Sequence, residues 1–264
     1  MLAAPAVLAP LARLTGAVDE VVDTAPLAPL DARLHGAAVA VNLHGRGPQS
    51  TALLRATAPQ RLIAFGEGVT WRPGEHEVAR WCRLLAESGI PADPSDLRIA
   101  APPAEVPAHL RGATLIHPGA ASAARRWPSE RFAAVARAER AAGRRVVVTA
   151  GPGEEPLARA VADGTGATVV TPADLEQLAA LVAAAGRLVC GDTGVAHLAT
   201  ALGTPSVVLF GPVPPAEWGP PPGGRHVALW RGRRGDPHGL EPDPGLLEIG
   251  VGDVCQELDR MAAV

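Results

Sequence analysis

The sequence has no lysine and no tyrosine among its 264 residues, and all 24 of its basic residues are arginine. Without lysine, the chain cannot contain a Walker-type phosphate loop or form a lysine Schiff base. Acid and base roles in any reaction therefore fall to aspartate, glutamate or histidine.

The chain is also poor in cysteine and in net charge. Cys82, Cys190 and Cys255 lie far apart, with no C-x-x-C pair among them. This spacing supports neither a disulfide framework nor a zinc site, so we expect ordinary, partly buried thiols. The net charge of −3 argues against a nucleic-acid partner, because such a partner normally requires a basic face.

Long apolar runs are missing as well, although hydrophobic residues make up 47% of the chain. No stretch approaches the roughly 20 apolar residues of a membrane-spanning helix, which leaves a peripheral membrane contact open. The segment 1–14 has no basic n-region and is interrupted by Pro5 and Pro10. We interpret it as a core helix rather than a signal peptide, which predicts a cytoplasmic protein.

From Gly112 onward, short apolar runs alternate with segments of helical period. Strands are predicted at 114–118, 144–150, 167–170, 187–191 and 205–210. Helices are predicted at 129–143, 154–164 and 174–186, with a short one from about 194. Repeated strand–helix units with near-continuous apolar strands are typical of a parallel sheet covered on both faces. This half of the chain is therefore predicted to be a Rossmann-like, doubly wound domain.

The first half is less regular but similar in kind. Strands are predicted at 19–23, 37–45 and 60–66, and helices at 5–14, 26–34, 48–57 and 75–89. The proline-rich segment 91–110 has no periodicity, which is typical of a linker. We therefore expect an α/β protein with two Rossmann-like domains facing a cleft, residues 1–108 and 109–264.

The first candidate site follows the predicted strand 187–191. Four residues stand together where the next helix begins: Asp192, Thr193, Gly194 and His197. Unpaired N–H groups at a helix start attract phosphate, Gly194 would let a ligand approach the backbone, and Thr193 would add a hydroxyl. A structural interpretation is equally open, with Asp192 or Thr193 as an N-cap and His197 as a polar contact.

The second candidate site is the sequence HPGAASAARRWP at 117–128. Gly119 and the small residues after it permit tight turns, and Arg125 and Arg126 stand just before the helix that starts near Ser129. Guanidinium groups stay charged and bind two oxygens at once, so a pair beside a helix N-terminus is suited to clamp a diphosphate. Alternatively, both arginines are solvated surface charge.

A weaker candidate site is the segment TAGPGEEP at 149–156. Glu154 or Glu155 could accept hydrogen bonds from ribose hydroxyls at the same edge of the sheet. Acidic residues are also common in the first turn of any helix, because the helix dipole favours them there. The segment is not G-x-G-x-x-G, so it gives no indication of nicotinamide binding.

The loop VNLHGRGPQS at 41–50 occupies the corresponding position in the first domain. His44 and Arg46 would face the cleft, and Gln49 and Ser50 open the following helix. These four residues form the candidate acceptor side. A capped turn explains the glycines on either side of Arg46 equally well.

Three motifs occur together in the second half of the chain: H-P-G…R-W-P, D-T-G-x-x-H-L-A-x-A-L-G-T-P and F-G-P. They lie in LIHPGAASAARRWPSERFAAVA (115–136) and CGDTGVAHLATALGTPSVVLFGPVPPAEWGP (190–220). In this combination the chain resembles the heptosyltransferase-like glycosyltransferases, family nine, which have the GT-B architecture. The resemblance is strong over 112–222 and looser over the rest of the chain.

The resemblance implies an inverting transfer of a sugar, commonly heptose, from a nucleotide-diphosphate donor, commonly ADP-linked, to a glycan or small-molecule acceptor. It implies a lipopolysaccharide core-type setting and no metal or cofactor. Arg126 stands in the place of the family's phosphate-binding lysine, and Glu154 or Glu155 would reach the ribose. The implied donor-binding residues are His117, Gly119, Arg125, Arg126, Glu154, Glu155, Asp192, Thr193, Gly194 and His197.

The beginning of the sequence departs from the family pattern. Members usually start with a strand and a D-x-x-G-D loop, whose first aspartate is the proposed general base, and no equivalent aspartate precedes Asp19. We therefore expect an incomplete N-terminal domain and assign no catalytic base. Two alternatives stay open: a catalytically silent nucleotide-sugar-binding protein, and another GT-B enzyme such as a sugar-nucleotide epimerase.

Overall fold

The structure, a computed structural model, describes residues 1–221 and 225–262. Residue 222, the last of the stretch that carries the resemblance, lies outside them. The chain divides into two compact units, Met1–Leu97 and Arg98–Val264. Among the described residues, no helix has the length and apolar character needed to cross a membrane.

The first unit contains two separate two-stranded parallel sheets. Strand β1 (Leu2–Ala4) pairs with β2 (Val21–Asp23), and β3 (Val39–Val41) pairs with β4 (Arg61–Ile63). The helices of this unit are α1 (Ala9–Leu14), α2 (Gln49–Ala56) and α3 (Glu77–Glu87), with 3-10 turns at Ala6–Leu8 and Ala32–Leu34. The strands predicted at 19–23, 37–45 and 60–66 are confirmed with shorter bounds, as are the helices at 48–57 and 75–89.

The helix predicted at 5–14 is confirmed as the 3-10 turn Ala6–Leu8 followed by α1, whereas the interpretation of the whole segment 1–14 as a helix is wrong for Leu2–Ala4, which form β1. Pro5, with an extended ψ of 134°, separates the strand from the helix. The helix predicted at 26–34 is wrong. In the predicted helix 26–34, Pro29 has no N–H to donate and Leu27 adopts a left-handed φ of 56°. That segment therefore forms only the 3-10 turn at its end.

The second unit is built on a six-stranded sheet that is parallel throughout, with the order β10-β9-β8-β5-β6-β7. Its strands are β5 (Thr114–His117), β6 (Val146–Thr149), β7 (Thr168–Val170), β8 (Arg187–Gly191), β9 (Ser206–Leu209) and β10 (His226–Leu229). One residue from each central strand is fully buried, as a sheet covered on both faces requires: Ile116, Val148, Val189 and Val207. Each such side chain contributes about 1.5–3 kcal/mol by burial.

Seven helices accompany this sheet in the described part of the second unit. They are α4 (Ser129–Ala141), α5 (Glu155–Ala162), α6 (Leu175–Ala184), α7 (Gly194–Leu202), α8 (Pro215–Trp218), α9 (Pro244–Leu247) and α10 (Val251–Ala262). The α/β class and the predicted strands and helices between 112 and 210 are confirmed. Strand β10 and helices α9 and α10 lie beyond the elements that the sequence analysis identified.

The boundary between the units lies at 97/98, inside the predicted linker 91–110 but before the predicted boundary at 108/109. Two hydrogen bonds explain the difference. Arg98 Nη2 donates to the carbonyl oxygen of Leu202 at 3.2 Å, and the Ile99 N–H donates to that of Ala201 at 3.1 Å. These bonds attach the end of the linker to the C-terminal turn of α7, where Gly203 has the left-handed φ of 73° that ends the helix.

The three cysteines are free thiols, as the sequence predicts, with Cys190 buried and the other two half-buried. Burial raises the pKa of each thiol. They therefore belong to the packing of the two units.

Candidate functional site

The loops that follow β5, β8 and β9 meet at the carboxyl edge of the sheet, and two glycines allow the contact. A Cβ on Gly191, at the end of β8, would lie 2.8 Å from the carbonyl oxygen of Arg125. A Cβ on Gly211, after β9, would lie 3.3 Å from the carbonyl oxygen of Ala124. The three loops therefore form one packed surface at the edge where parallel sheets bind ligands.

Helix α7 begins at this surface, and Thr193 is its N-cap. The Thr193 hydroxyl accepts a hydrogen bond from the Val195 N–H at 3.3 Å, and its carbonyl accepts one from the Ala196 N–H at 3.0 Å. Among the described residues, the Gly194 N–H has no acceptor, and a Cβ on Gly194 would meet nothing within 4 Å. The capping interpretation therefore holds for Thr193 alone, while Gly194 presents bare backbone and a helix dipole to open space.

Asp192 is buried at the start of the same loop, with 7% of its surface exposed. Its nearest cation is Arg125, whose Nη1 lies 3.9 Å from Asp192 Oδ2 and 3.5 Å from the Asp192 carbonyl oxygen. Burial raises the pKa of the Asp192 carboxyl, and the charges of Arg125 and His197 oppose that rise only in part. A buried carboxyl with a raised pKa at a sheet edge is a feature of functional sites.

The two arginines of the second candidate site point to different surroundings. Arg125 ends a 3-10 turn and lies half-buried against the Asp192 loop. Arg126 is exposed and donates from Nε to the Ala120 carbonyl at 2.9 Å. We call these two arginines of the loop after β5, with Thr193 and Gly194 of the loop after β8, the anion cradle.

Trp127, the tryptophan of the R-W-P motif, has a structural role. It is 1% exposed, its Nε1–H donates to the Ile249 carbonyl at 3.1 Å, and its ring packs edge-on against Phe132 with the centroids 5.0 Å apart. Trp127 thereby joins the start of α4 to the turn between α9 and α10.

Glu154 lies at the same edge of the sheet, in the loop after β6. Its Oε2 accepts a hydrogen bond from the Gly151 N–H at 2.9 Å and lies 3.7 Å from His117 Nε2. The carboxylate occupies the space that a Cβ on Gly119 would need. His117 is held from its other side, with Nδ1 3.1 Å from Thr149 Oγ1. Burial lowers the pKa of His117, and Glu154 only partly opposes this, so the neutral form of the ring is favoured.

The structure thus brings His117, Gly119 and Glu154 together at β5 and β6. Glu155 is the first residue of α5 and is half-buried. His197 is exposed in the first turn of α7. One aromatic residue that sequence reasoning missed lies beside it: the Trp218 ring, 40% exposed, has its centroid 6.3 Å from that of His197. The scarcity of aromatic residues in this chain was the available signal.

The candidate acceptor-side loop lies in the first unit and is organised by Asn42, which the sequence analysis did not single out. The buried Asn42 amide donates to Ser50 Oγ at 3.0 Å and to Thr51 Oγ1 at 2.9 Å, and its oxygen accepts from the His44 N–H at 2.9 Å. Ser50 is buried and donates to the His44 carbonyl at 3.0 Å. His44, Arg46 and Gln49 are exposed, so they and not Ser50 are available to a ligand.

Solved structures with the same fold are glycosyltransferases. A family 9 glycosyl transferase from Veillonella parvula matches with a TM-score of 0.77 and 18% identity over 99% of this chain and 87% of its own. E. coli ADP-heptose LPS heptosyltransferase II matches at 0.74 and 20% over 99% and 88%. E. coli heptosyltransferase WaaC with ADP matches at 0.73 and 18% over 98% and 89%. The predicted GT-B architecture is thereby confirmed.

No curated protein sequence matches the chain. The model of glycosyltransferase family 9 (heptosyltransferase) matches residues 40–238, which include both the H-P-G and the D-T-G motifs. Because this match spans well over half of the chain, the protein belongs to glycosyltransferase family 9, the heptosyltransferase family, and is a glycosyltransferase.

Proposed function

We propose that this enzyme transfers a heptose-like sugar, with inversion, from an ADP-linked donor to a glycan or small-molecule acceptor. Two E. coli structural neighbours support the donor: one is named for ADP-heptose, and WaaC binds ADP and ADP-2-deoxy-2-fluoro heptose. The observation that carries the proposal is the approach of Arg125 to the loop that starts α7, with Arg126 next to it on the loop after β5.

The cradle offers each kind of group that a diphosphate requires. The Gly194 N–H and the dipole of α7 would bind phosphate oxygens, and the open space over Gly194 admits them to the backbone. Arg125 and Arg126 would approach from the loop after β5, and their charge would offset the charge that develops on the leaving diphosphate. Glu154 or Glu155 would accept hydrogen bonds from the ribose.

Asp192 has a specific task in this proposal. A diphosphate beside a buried carboxyl raises the pKa of that carboxyl further, so we expect Asp192 to take up a proton when the donor binds. The protonated carboxyl can then donate a hydrogen bond to the donor instead of repelling it. Arg125, released from its 3.9 Å approach to Asp192, is free to turn to the phosphates.

The acceptor would be bound by the first unit, through the exposed His44, Arg46 and Gln49 of the loop that Asn42 organises. Lipopolysaccharide core-type synthesis in the cytoplasm, with a peripheral membrane contact, is the setting that this proposal includes. None of the residues in the anion cradle is assigned as the base that deprotonates the acceptor.

Calorimetry with ADP and ADP-heptose tests the donor site. Arg126→Ala should weaken ADP binding by about tenfold, because a charge-assisted contact to phosphate is lost. Arg137→Ala is the matched control, since Arg137 is an exposed arginine on α4 outside the cradle. If the unmodified chain binds no nucleoside diphosphate, the proposed function is wrong.

Product analysis tests the reaction. Transfer or hydrolysis of ADP-heptose by this chain, with release of ADP, supports glycosyl transfer. Recovery of an epimerised nucleotide sugar would indicate an epimerase. Tight ADP-heptose binding without turnover on any glycan acceptor would indicate a silent binding protein.

A further inference from the structure

The strand order of the second unit assigns an order to the parts of a ligand bound across its edge. Along the sheet the central strands run β9, β8, β5 and β6. The anion cradle is formed by the loops after β8 and β5, and Glu154 follows β6. If the nucleoside lies towards β6, as the proposed function requires, the other end of the donor must extend towards β9.

Trp218 is the aromatic residue at that end. The loop after β9 leads into α8, which ends at Trp218. The ring is 40% exposed and lies beside His197, in the first turn of the helix whose N-terminus belongs to the cradle. Among the described residues, the indole N–H of Trp218 has no hydrogen-bond acceptor, whereas those of Trp127 and Trp230 donate to backbone carbonyls.

The backbone around Trp218 is held in place, so its exposure is built into the fold. Pro215 opens α8, and the Gly219 N–H donates to the Pro215 carbonyl at 2.6 Å. A Cβ on Gly219 would lie 2.5 Å from that carbonyl oxygen, so the turn requires glycine. Glu217 pairs with Arg234 at 2.6 Å on the neighbouring segment. A fixed, half-exposed aromatic ring with a free N–H has little ordering entropy to lose when a ligand covers it.

We infer that Trp218 is a binding platform for the transferred sugar and thereby a determinant of donor specificity. The apolar C–H face of a pyranose ring would stack on the indole, and the indole N–H would donate to a sugar hydroxyl. This inference rests on the proposed function, because the direction of the donor along the sheet edge depends on it. A sugar hydroxyl pattern that turns a polar face to the ring would be rejected.

The test compares two probes that differ only by the sugar, ADP and ADP-2-deoxy-2-fluoro heptose, by calorimetry on the full chain. Trp218→Leu should weaken binding of the sugar-bearing probe by about 3- to 10-fold and leave ADP binding unchanged. Trp218→Phe, which keeps an aromatic face, should retain most of the affinity. Leu247→Ala is the matched control, because Leu247 is a comparably exposed apolar residue on α9.

Each other outcome overturns the inference in its own way. Equal weakening of both probes by Trp218→Leu would mean that the ring stacks on the nucleobase. Unchanged binding of both probes would mean that the ring does not touch the donor. In either case ADP still binds the unmodified chain and the proposed function stands, whereas absence of ADP binding to that chain would remove both.

Discussion

The carboxylate of Glu154 rests on the α-carbon of Gly119, in the space that any other residue's Cβ would fill. Gly119 is not among the glycines with a positive φ, so its backbone does not require glycine. The glycine of the H-P-G motif is thus explained by a neighbour from the loop after β6. Two predicted site residues, 35 positions apart in sequence numbering, depend on each other for their place.

Gly119→Ala should displace Glu154 from Gly151 and cost about 1 kcal/mol of unfolding free energy, the value of one hydrogen bond. The cost stays small because the displaced atoms are the end of a flexible side chain. Urea denaturation measures it. In an Glu154→Ala background the same change should cost almost nothing, and a full cost there would contradict the coupling.

Gly191 and Gly194 should respond in opposite ways to alanine. Gly191→Ala puts a Cβ 2.8 Å from a backbone oxygen and should destabilise the second unit by about 1–3 kcal/mol.

The added methyl group of Gly194→Ala meets open space, so this change should stabilise the second unit by about 0.4–1 kcal/mol, because alanine restricts the unfolded chain and favours helix. It should nevertheless weaken ADP binding, because its methyl group covers the cradle. Thermal melts and calorimetry on both variants check this, and unchanged ADP affinity in Gly194→Ala would remove the glycine from the site.

Asp192→Asn should raise the stability of the folded protein at neutral pH. Burial raises the pKa of Asp192, so the folded state holds this proton more tightly than the unfolded chain does. The stability that the protonated carboxyl contributes is therefore lost as the pH rises through the raised pKa. The asparagine side chain of the variant does not titrate, so the variant does not lose this stability. Melting temperatures across the acidic to neutral range should diverge between the variant and the parent as the pH rises. A variant that is less stable throughout this range would show that Asp192 acts as a structural acceptor.

Because His117 is buried, the free energy of unfolding of the second unit should fall in mild acid. Burial lowers the pKa of His117 below its ordinary 6.5, so the unfolded chain binds a proton that the folded state does not. Stability is therefore full above about pH 6.5 and falls as the pH drops through the window between the two pKa values. His117→Asn should flatten this fall in a series of urea titrations.

His226 provides the comparison for that experiment, because burial and the charges of Arg98 and Arg225 also lower its pKa. His226→Asn should reduce the same fall of stability in acid, and the double variant should reduce it further. If the fall is unchanged in all three variants, carboxylates and not these histidines cause it.

Asn42→Ala should destabilise the first unit by about 2–4 kcal/mol, because it leaves the buried hydroxyls of Ser50 and Thr51 without their donor. Gln49→Ala, an exposed change in the same loop, is the control for stability. Chemical denaturation checks the difference. ADP affinity of the folded Asn42→Ala protein should stay at the parent value, since the cradle belongs to the other unit.

The strands and helices in the central part of the second unit could be predicted from the sequence, because the strands are continuous apolar runs that end at a glycine or at the N-cap of the next helix. Elements whose pattern is short or interrupted could not be predicted. The strand His226–Leu229 has four residues and follows a proline- and glycine-rich stretch, so no period could identify it. Around residues 26–34 the apolar spacing suggested a helix that Pro29 and the left-handed φ of Leu27 prevent.

The candidate site was predictable by residue type but not by direction. Composition indicated that Arg125 and Arg126 could act as a pair, yet a 3-10 turn that ends between them sends one inward to Asp192 and leaves the other exposed. Thr193 rather than Asp192 caps the helix because its side chain reaches the Val195 N–H. The direction of a side chain in such a loop depends on contacts between segments that are distant in sequence. The periodicity of apolar residues does not predict these contacts.

Helix α7 has the anion cradle at its first residue and, at its last turn, the bonds from Arg98 and Ile99. Those two residues are where the covalent connection from the first unit arrives. The nine residues of α7 therefore have the anion cradle at one end and, at the other, the two residues with which the second unit begins.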